Sequence, residues 1–154
     1  MDKTQTIHYQ ECSMSELSES DKLLLDAAIE AADTAYAPYS NFHVGAALRL
    51  DDGTIVKGSN QENIAYPSGL CAERTALFAA GAQYPGRSVE TLAIVGRNQQ
   101  GILTAASPCG ACRQVMAEVE SRQCKKLSVI CYFSETKILI FEGVECLLPF
   151  VFSM

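Results

Sequence analysis

Along these 154 residues the spacing of apolar side chains switches repeatedly between a helical and a strand period. That alternation restricts the architecture more than any other property of the chain. After a polar stretch over residues 1–17, with one short strand expected near Ile7 to Tyr9, Leu24, Leu25, Ala28, Ile29, Ala32 and Ala35 recur at helical spacing. Ser20-Asp21 offers a cap for that helix and Pro38 a stop. Val44 to Leu50 and Thr54 to Lys57 read as strands joined by an Asp52-Gly53 turn. A polar loop over residues 58–69 leads to a helix from Ala72 to Ala80, closed by Gly81. Thr91 to Val95 is an apolar strand, and Gly110 to Glu120 a helix opening just after Pro108. Leu127 to Tyr132 and Ile138 to Phe141 are two further strands, with a helical turn around Leu147. Helices alternating with five strands predict an α/β fold, a three-layer α/β/α sandwich with a mixed five-stranded sheet. The early hairpin is antiparallel, and the strand–helix–strand steps are right-handed parallel crossovers.

Composition narrows the class further. A chain of this length suits one core, with a folded surface of about 7,600 Å² against roughly 24,000 Å² for the open chain. Hydrophobic residues make up 48% and charged residues 19%, a globular balance compatible with apolar surface spent on an oligomer interface. The net charge of −6 argues against nucleic acid and anionic membrane surfaces as partners, since both call for a basic face. No apolar run approaches a membrane span, and Met1 to Ser20 lacks the core of a signal peptide. A cytoplasmic location is the expectation.

Seven cysteines, an odd number, argue against a closed disulfide framework. Cys12, Cys124, Cys131 and Cys146 are scattered and read as packing residues. The other three are placed differently. Cys71 opens one predicted helix, and Cys109 and Cys112 open another. Helix N-termini stabilise thiolates, so three sulfurs meeting there would form a half-cage for Zn²⁺. No fourth ligand stands at finger-like spacing, and His8 and His43 lie far upstream, which favours an open, catalytic position over a closed structural one. Glu73, two residues after Cys71, falls beside the metal without being a ligand. A carboxylate there can move protons for a water acidified by zinc. A C-x-E followed by P-C-x-x-C matches the signature of zinc-dependent nucleobase deaminases. Three thiolates, Zn²⁺ and an ionised Glu73 sum to −2, and Arg74 is the candidate to offset that charge; a plain surface arginine is the other reading.

The motifs are specific enough to place the chain. Tyr36-Ala37-Pro38-Tyr39-Ser40-Asn41-Phe42 precedes Val44-Gly45-Ala46-Ala47. Asn60-Gln61-Glu62-Asn63 is followed by Tyr66-Pro67, then Cys71-Ala72-Glu73-Arg74-Thr75-Ala76. Ser107-Pro108-Cys109-Gly110-Ala111-Cys112-Arg113-Gln114 and Leu147-Leu148-Pro149 complete the set. From about Leu23 to Phe152 the sequence resembles the small, homotetrameric cytidine deaminases. The resemblance implies the cytidine deaminase-like fold, with residues 1–17 as an extension and 18–154 as one catalytic domain. It implies one Zn²⁺ per chain on Cys71, Cys109 and Cys112, Glu73 as the catalytic proton shuttle, and Arg74 bonded to the thiolates. It further implies that Asn60 and Glu62 hold the ribose 3′-hydroxyl, that Phe42 packs on the pyrimidine, and that the backbone around Ala72 reads the base edge. Tyr66 lines the 5′ end, in part from a neighbouring subunit, and Phe152 covers the base from another. The expected reaction is deamination of cytidine and 2′-deoxycytidine, as in pyrimidine salvage, by a homotetramer with shared sites. His43 and the length of the N-terminal segment depart from the family pattern, and residues 121–140 match it weakly.

Three other readings compete. A thiol oxidoreductase could use Cys109-Gly110-Ala111-Cys112 but leaves Cys71 and Glu73 without a task. A non-catalytic zinc module would need a fourth protein ligand. A deaminase of a nucleoside antibiotic, a purine or a polynucleotide base is closer, although the acidic chain disfavours the polynucleotide.

Overall fold

The structure, a computed structural model, describes residues 1–154. The predicted layers are present: helices cover both faces of one mixed sheet. The sheet has seven strands, however, and not the expected five. The five predicted strands are β2 (His43–Leu50), β3 (Ile55–Ser59), β4 (Val89–Arg97), β6 (Ser128–Ser134) and β7 (Lys137–Glu142). The other two are β1 (Gln10–Cys12), displaced from the short N-terminal strand expected near Ile7 to Tyr9, and β5 (Leu103–Thr104), which was not expected. A two-residue strand is shorter than one pattern repeat, so β5 leaves no periodic trace. The N-terminal strand forms at Gln10–Cys12, not Ile7–Tyr9, because its register is set by β7, with Glu11 opposite Leu139.

The strand order is β1-β7-β6-β4-β2-β3, with β5 hydrogen-bonded to the end of β4. Only β4 and β6 run parallel; every other pair is antiparallel. Because β3 and β4 are both antiparallel to β2 between them, they point the same way. This has a direct consequence for the helices that follow those strands. Helix α2 (Ala72–Gln83) starts beyond the C-terminal end of β3, and α3 (Gly110–Gln123) beyond that of β4. Both N-termini therefore reach the same edge of the sheet, where ligand sites of open α/β sheets gather.

Alternation along the central strands divides the core. Leu48, Leu92, Ile94, Val129 and Cys131 face α2 and α3, together with Ala76, Leu77 and Met116. Ala47, Ala93, Val95, Ile130 and Tyr132 face the opposite side, against Leu24, Leu25 and Ala28 of α1 (Glu19–Ala32). Two glycines allow the layers to close. A Cβ on Gly45 would lie 1.8 Å from the Ala28 carbonyl oxygen of α1, and one on Gly58 would lie 2.5 Å from the Ala76 amide of α2.

Several boundaries differ from expectation. Ser18, not Ser20-Asp21, caps α1, its hydroxyl accepting the Asp21 amide at 3.2 Å. α1 ends at Ala32, well before Pro38. Gly81 does not close α2 but lies inside it, exposed, and Tyr84 forms the C-cap. α3 runs on to Gln123 and stops at Cys124, which takes a left-handed conformation with φ 51°. The C-terminal turn is a 3-10 segment over Val144–Cys146. No helix is long and apolar enough to cross a membrane.

Candidate active site

Cys71 and Cys109 occupy equivalent positions, each the N-cap of its helix with nearly the same extended backbone (φ −68°, ψ 156° and φ −68°, ψ 167°). The Cys71 carbonyl accepts the Thr75 amide and the Cys109 carbonyl the Arg113 amide, both at 3.0 Å. No side chain caps either helix, so the first-turn N–H groups at the helix ends that carry these cysteines have no side-chain acceptor. Cys112, one turn into α3, is fully buried. The Sγ atoms of Cys71 and Cys109 are 3.8 Å apart, those of Cys109 and Cys112 are 3.4 Å apart, and all three lie within 4.8 Å of one another. Three thiolates on one tetrahedral zinc at 2.3 Å would stand about 3.8 Å apart. The donor set and its spacing therefore fit one Zn²⁺ per chain.

Hydrogen bonding and charge favour the thiolate at Cys71. The Cys71 thiol is drawn down to about 5, chiefly by a hydrogen bond from Cys112 and further by Arg74 and Cys109. Cys112 is correspondingly pushed up, first by the same bond and then by burial. Arg74 Nη2 donates to Cys71 Sγ at 3.6 Å, the contact anticipated from charge counting. Glu73 is 4% exposed. Burial raises it to about 7, with the Cys71 charge adding to the rise. Near neutral pH such a carboxyl can both take and give a proton.

A cavity of about 390 Å³ opens onto these groups, a size in the usual range for small-molecule sites. It brings together Phe42, Asn60, Glu62, Cys71, Ala72, Glu73 and Cys109. An adjoining cavity of about 480 Å³ shares Asn60, Glu62 and Cys71 and adds Tyr66 and Arg74. Phe42 owes its place to Gly96: a Cβ there would meet the ring at 2.7 Å. Asn60 accepts the Val44 amide at 2.8 Å and donates to the Phe42 carbonyl at 2.9 Å, so its side chain also builds the wall it lines. Glu62 accepts the Tyr39 and Ser40 amides at 2.9 and 3.1 Å. Hydrogen bonding from Ser40 first, and from Tyr39, holds its carboxyl below the ordinary carboxylate range.

Two predicted residues lie outside the cavity lined by Glu73. Tyr66 is 74% exposed and meets Tyr39 edge-on at 5.8 Å. Phe152, 75% exposed, lines neither cavity; its carbonyl accepts Gln114 Nε2 at 3.1 Å. Val44 and the Ala105–Ala106–Ser107 wall were not singled out from the sequence. Val44 and Ser107 stand inside quoted motifs, whereas Ala105 and Ala106 lie outside every one of them and left no signal.

The comparisons agree with this geometry. Residues 18–131 match the family described as the cytidine and deoxycytidylate deaminase zinc-binding region. The chain belongs to that family. It is 47% identical over 98 residues to a cytidine deaminase of Halalkalibacterium halodurans, covering 64% of this chain and 70% of that one. The crystal structure of cytidine deaminase from Burkholderia pseudomallei superposes with a TM-score of 0.73 at 40% identity, covering 88% of this chain and 100% of that one. That of Mycobacterium tuberculosis gives 0.68 at 33% identity over 90% and 100%.

Proposed function

We propose that the chain deaminates cytidine and 2′-deoxycytidine, adding water at C4 and releasing ammonia to leave uridine and 2′-deoxyuridine. The observation that carries this reading is a buried Glu73 beside three convergent sulfurs, with Cys71, Glu73 and Cys109 lining one cavity of about 390 Å³. Cys71, Cys109 and Cys112 would hold the zinc. Bound there, the ion supplies Lewis acidity that brings the pKa of the attacking water towards neutrality.

The chain's own residues then account for the rest. Glu73 accepts the proton lost by the attacking water and delivers it to N3 of the pyrimidine. It then takes the remaining proton of that water from the new C4 hydroxyl and passes it to the exocyclic amine, which departs as ammonia as the C4 carbonyl forms. Phe42 packs on the base, worth about 1 kcal/mol beyond area burial for an aromatic pair. The Ala72 backbone, at the first turn of α2, reads the base edge. Glu62 and Asn60 receive the ribose 3′-hydroxyl, with Glu62 kept ionised to accept it. Tyr66 lines the 5′ end.

The domain of residues 18–154 works as a homotetramer in the cytoplasm, with residues 1–17 as an extension that reaches β7 through β1. Exposed Tyr66 and Phe152 are then contacts to neighbouring subunits' sites. The test is Glu73→Gln in zinc-loaded protein, followed by the absorbance change of cytidine. Turnover should fall about 10²–10⁴-fold, and wild-type turnover with zinc retained would refute the shuttle.

A further inference from the structure

Arg113 lies one residue beyond Cys112 in the first turn of α3 and is half-buried. It has no carboxylate partner. Its guanidinium instead spans two backbone carbonyls that are distant in sequence. Nε donates to the Pro108 oxygen at 2.8 Å, and Nη1 donates to the Leu147 oxygen at 2.7 Å. Pro108 immediately precedes Cys109, so the first contact acts on the turn that aims that sulfur. Leu147 follows the Val144–Cys146 turn, so the second acts where the C-terminal segment departs.

Neighbouring side chains of α3 bind the same segment. Glu120 accepts the Val144 amide at 3.0 Å, and Gln114 donates to the Phe152 carbonyl. Residues 144–152 are thus strapped along α3 at three points, and Arg113 is the one that also touches the sulfur loop. We propose that Arg113 is a positioning residue that joins the Pro108–Cys109 loop to the C-terminal segment, one arm of its fork setting each. The planar fork suits this task because both arms are held at a fixed angle, which a lysine ammonium cannot reproduce. Residues that orient a metal ligand commonly change metal affinity by 10–100-fold when removed. The part of the inference that concerns zinc rests on the functional reading above.

The test compares wild type, Arg113→Met, Arg113→Lys and Gln114→Ala as zinc-loaded full-length protein. Two quantities are measured: zinc release to a chelator and backbone hydrogen exchange over residues 147–152. Arg113→Met should release zinc at least tenfold faster and exchange at least tenfold faster in the tail. Arg113→Lys should recover at most one of the two. Gln114→Ala should loosen the tail around Phe152 and leave zinc release at the wild-type rate. Wild-type behaviour of Arg113→Met in either measurement overturns the proposal, as does full rescue by lysine, which would make charge alone the requirement. Should Arg113→Met fail to fold, the lysine variant decides the matter by the same criterion. A wild-type chain that binds no zinc would remove the functional reading, while tail exchange would still decide whether Arg113 joins the two segments.

Discussion

Gly58→Ala is the substitution that tests the link between packing and site most sharply. Gly58 sits on β3 beneath the start of α2, and an added Cβ would meet the Ala76 amide nitrogen at 2.5 Å and the Ala72 carbonyl oxygen at 2.6 Å. Both are backbone atoms of a helix, so no side chain can swing aside. Restoring contact at 3.4 Å requires about 0.9 Å of separation between helix and strand. Overpacking against backbone costs about 1–3 kcal/mol, and the upper half of that range is expected here. At roughly 2–4 °C per kcal/mol for a chain of this size, Tm should drop by about 4–12 °C. Function should suffer separately, since the displaced turn carries Cys71 and Glu73. A misplacement near 1 Å costs about 10²-fold in rate. Gly81→Ala is the control on the same helix. Its Cβ would have only the Arg122 side chain, 3.9 Å away, and alanine is favoured over glycine inside a helix by about 1 kcal/mol. Calorimetry with a cytidine absorbance assay should show Gly81→Ala gaining about 2–4 °C at unchanged turnover. If Gly58→Ala keeps both the wild-type Tm and the wild-type kcat, the close approach of α2 to β3 is not what places the site.

Two further expectations follow from the sulfur cluster and the proposed sugar contact. Cys109→Ser should lower bound zinc from one per chain to a small fraction by metal analysis, because a hydroxyl is a far weaker zinc ligand than a thiolate; full occupancy would mean Cys109 is no ligand. Glu62 has its carboxyl depressed below the ordinary range, so it stays ionised as pH falls and loses its charge only below that range. The KM ratio of Glu62→Gln to wild type should therefore stay constant down through the ordinary carboxylate range, and equal KM values for the two at neutral pH would assign the sugar contact to another group.

Much of this was legible in the residues themselves, for identifiable reasons. The sulfurs of Cys71, Cys109 and Cys112 were readable because helix starts are marked locally, by Pro108 and by the onset of apolar spacing, and metal chemistry permits few donor sets. The central strands showed because both of their faces are buried. Tertiary partners decided the rest. The edge strand β1 takes its position from β7, and Gly81 stays helical because neighbouring residues carry α2 through it. Asn60 is bound up with the Val44 amide and Phe42 carbonyl, a duty that spacing cannot reveal. Arg113 stood inside a recognised motif, yet its two acceptors are backbone carbonyls, which leave no mark in a sequence.

The topology and the electrostatics of the site are the same fact viewed twice. Cys71 and Cys109 stand 38 residues apart and meet because β3 and β4 point the same way on either side of β2, which sends the N-termini of α2 and α3 to one edge. Helices arriving by their N-termini bring positive dipole ends, each equivalent to roughly half a charge. Three thiolates, a divalent ion and an ionised Glu73 together carry an excess of two negative charges. Arg74, at 3.6 Å from Cys71 Sγ, supplies one positive charge, and the two helix ends supply about one more. The centre is then near neutral overall, although its ligands are anionic. A neutral centre does not repel hydroxide-like character on an attacking water, nor does it force Glu73 to remain protonated. Had either helix entered by its C-terminus, the same three cysteines would face like charge. They could still have held a metal, but the excess negative charge would disfavour the ionised form of the carboxyl beside them.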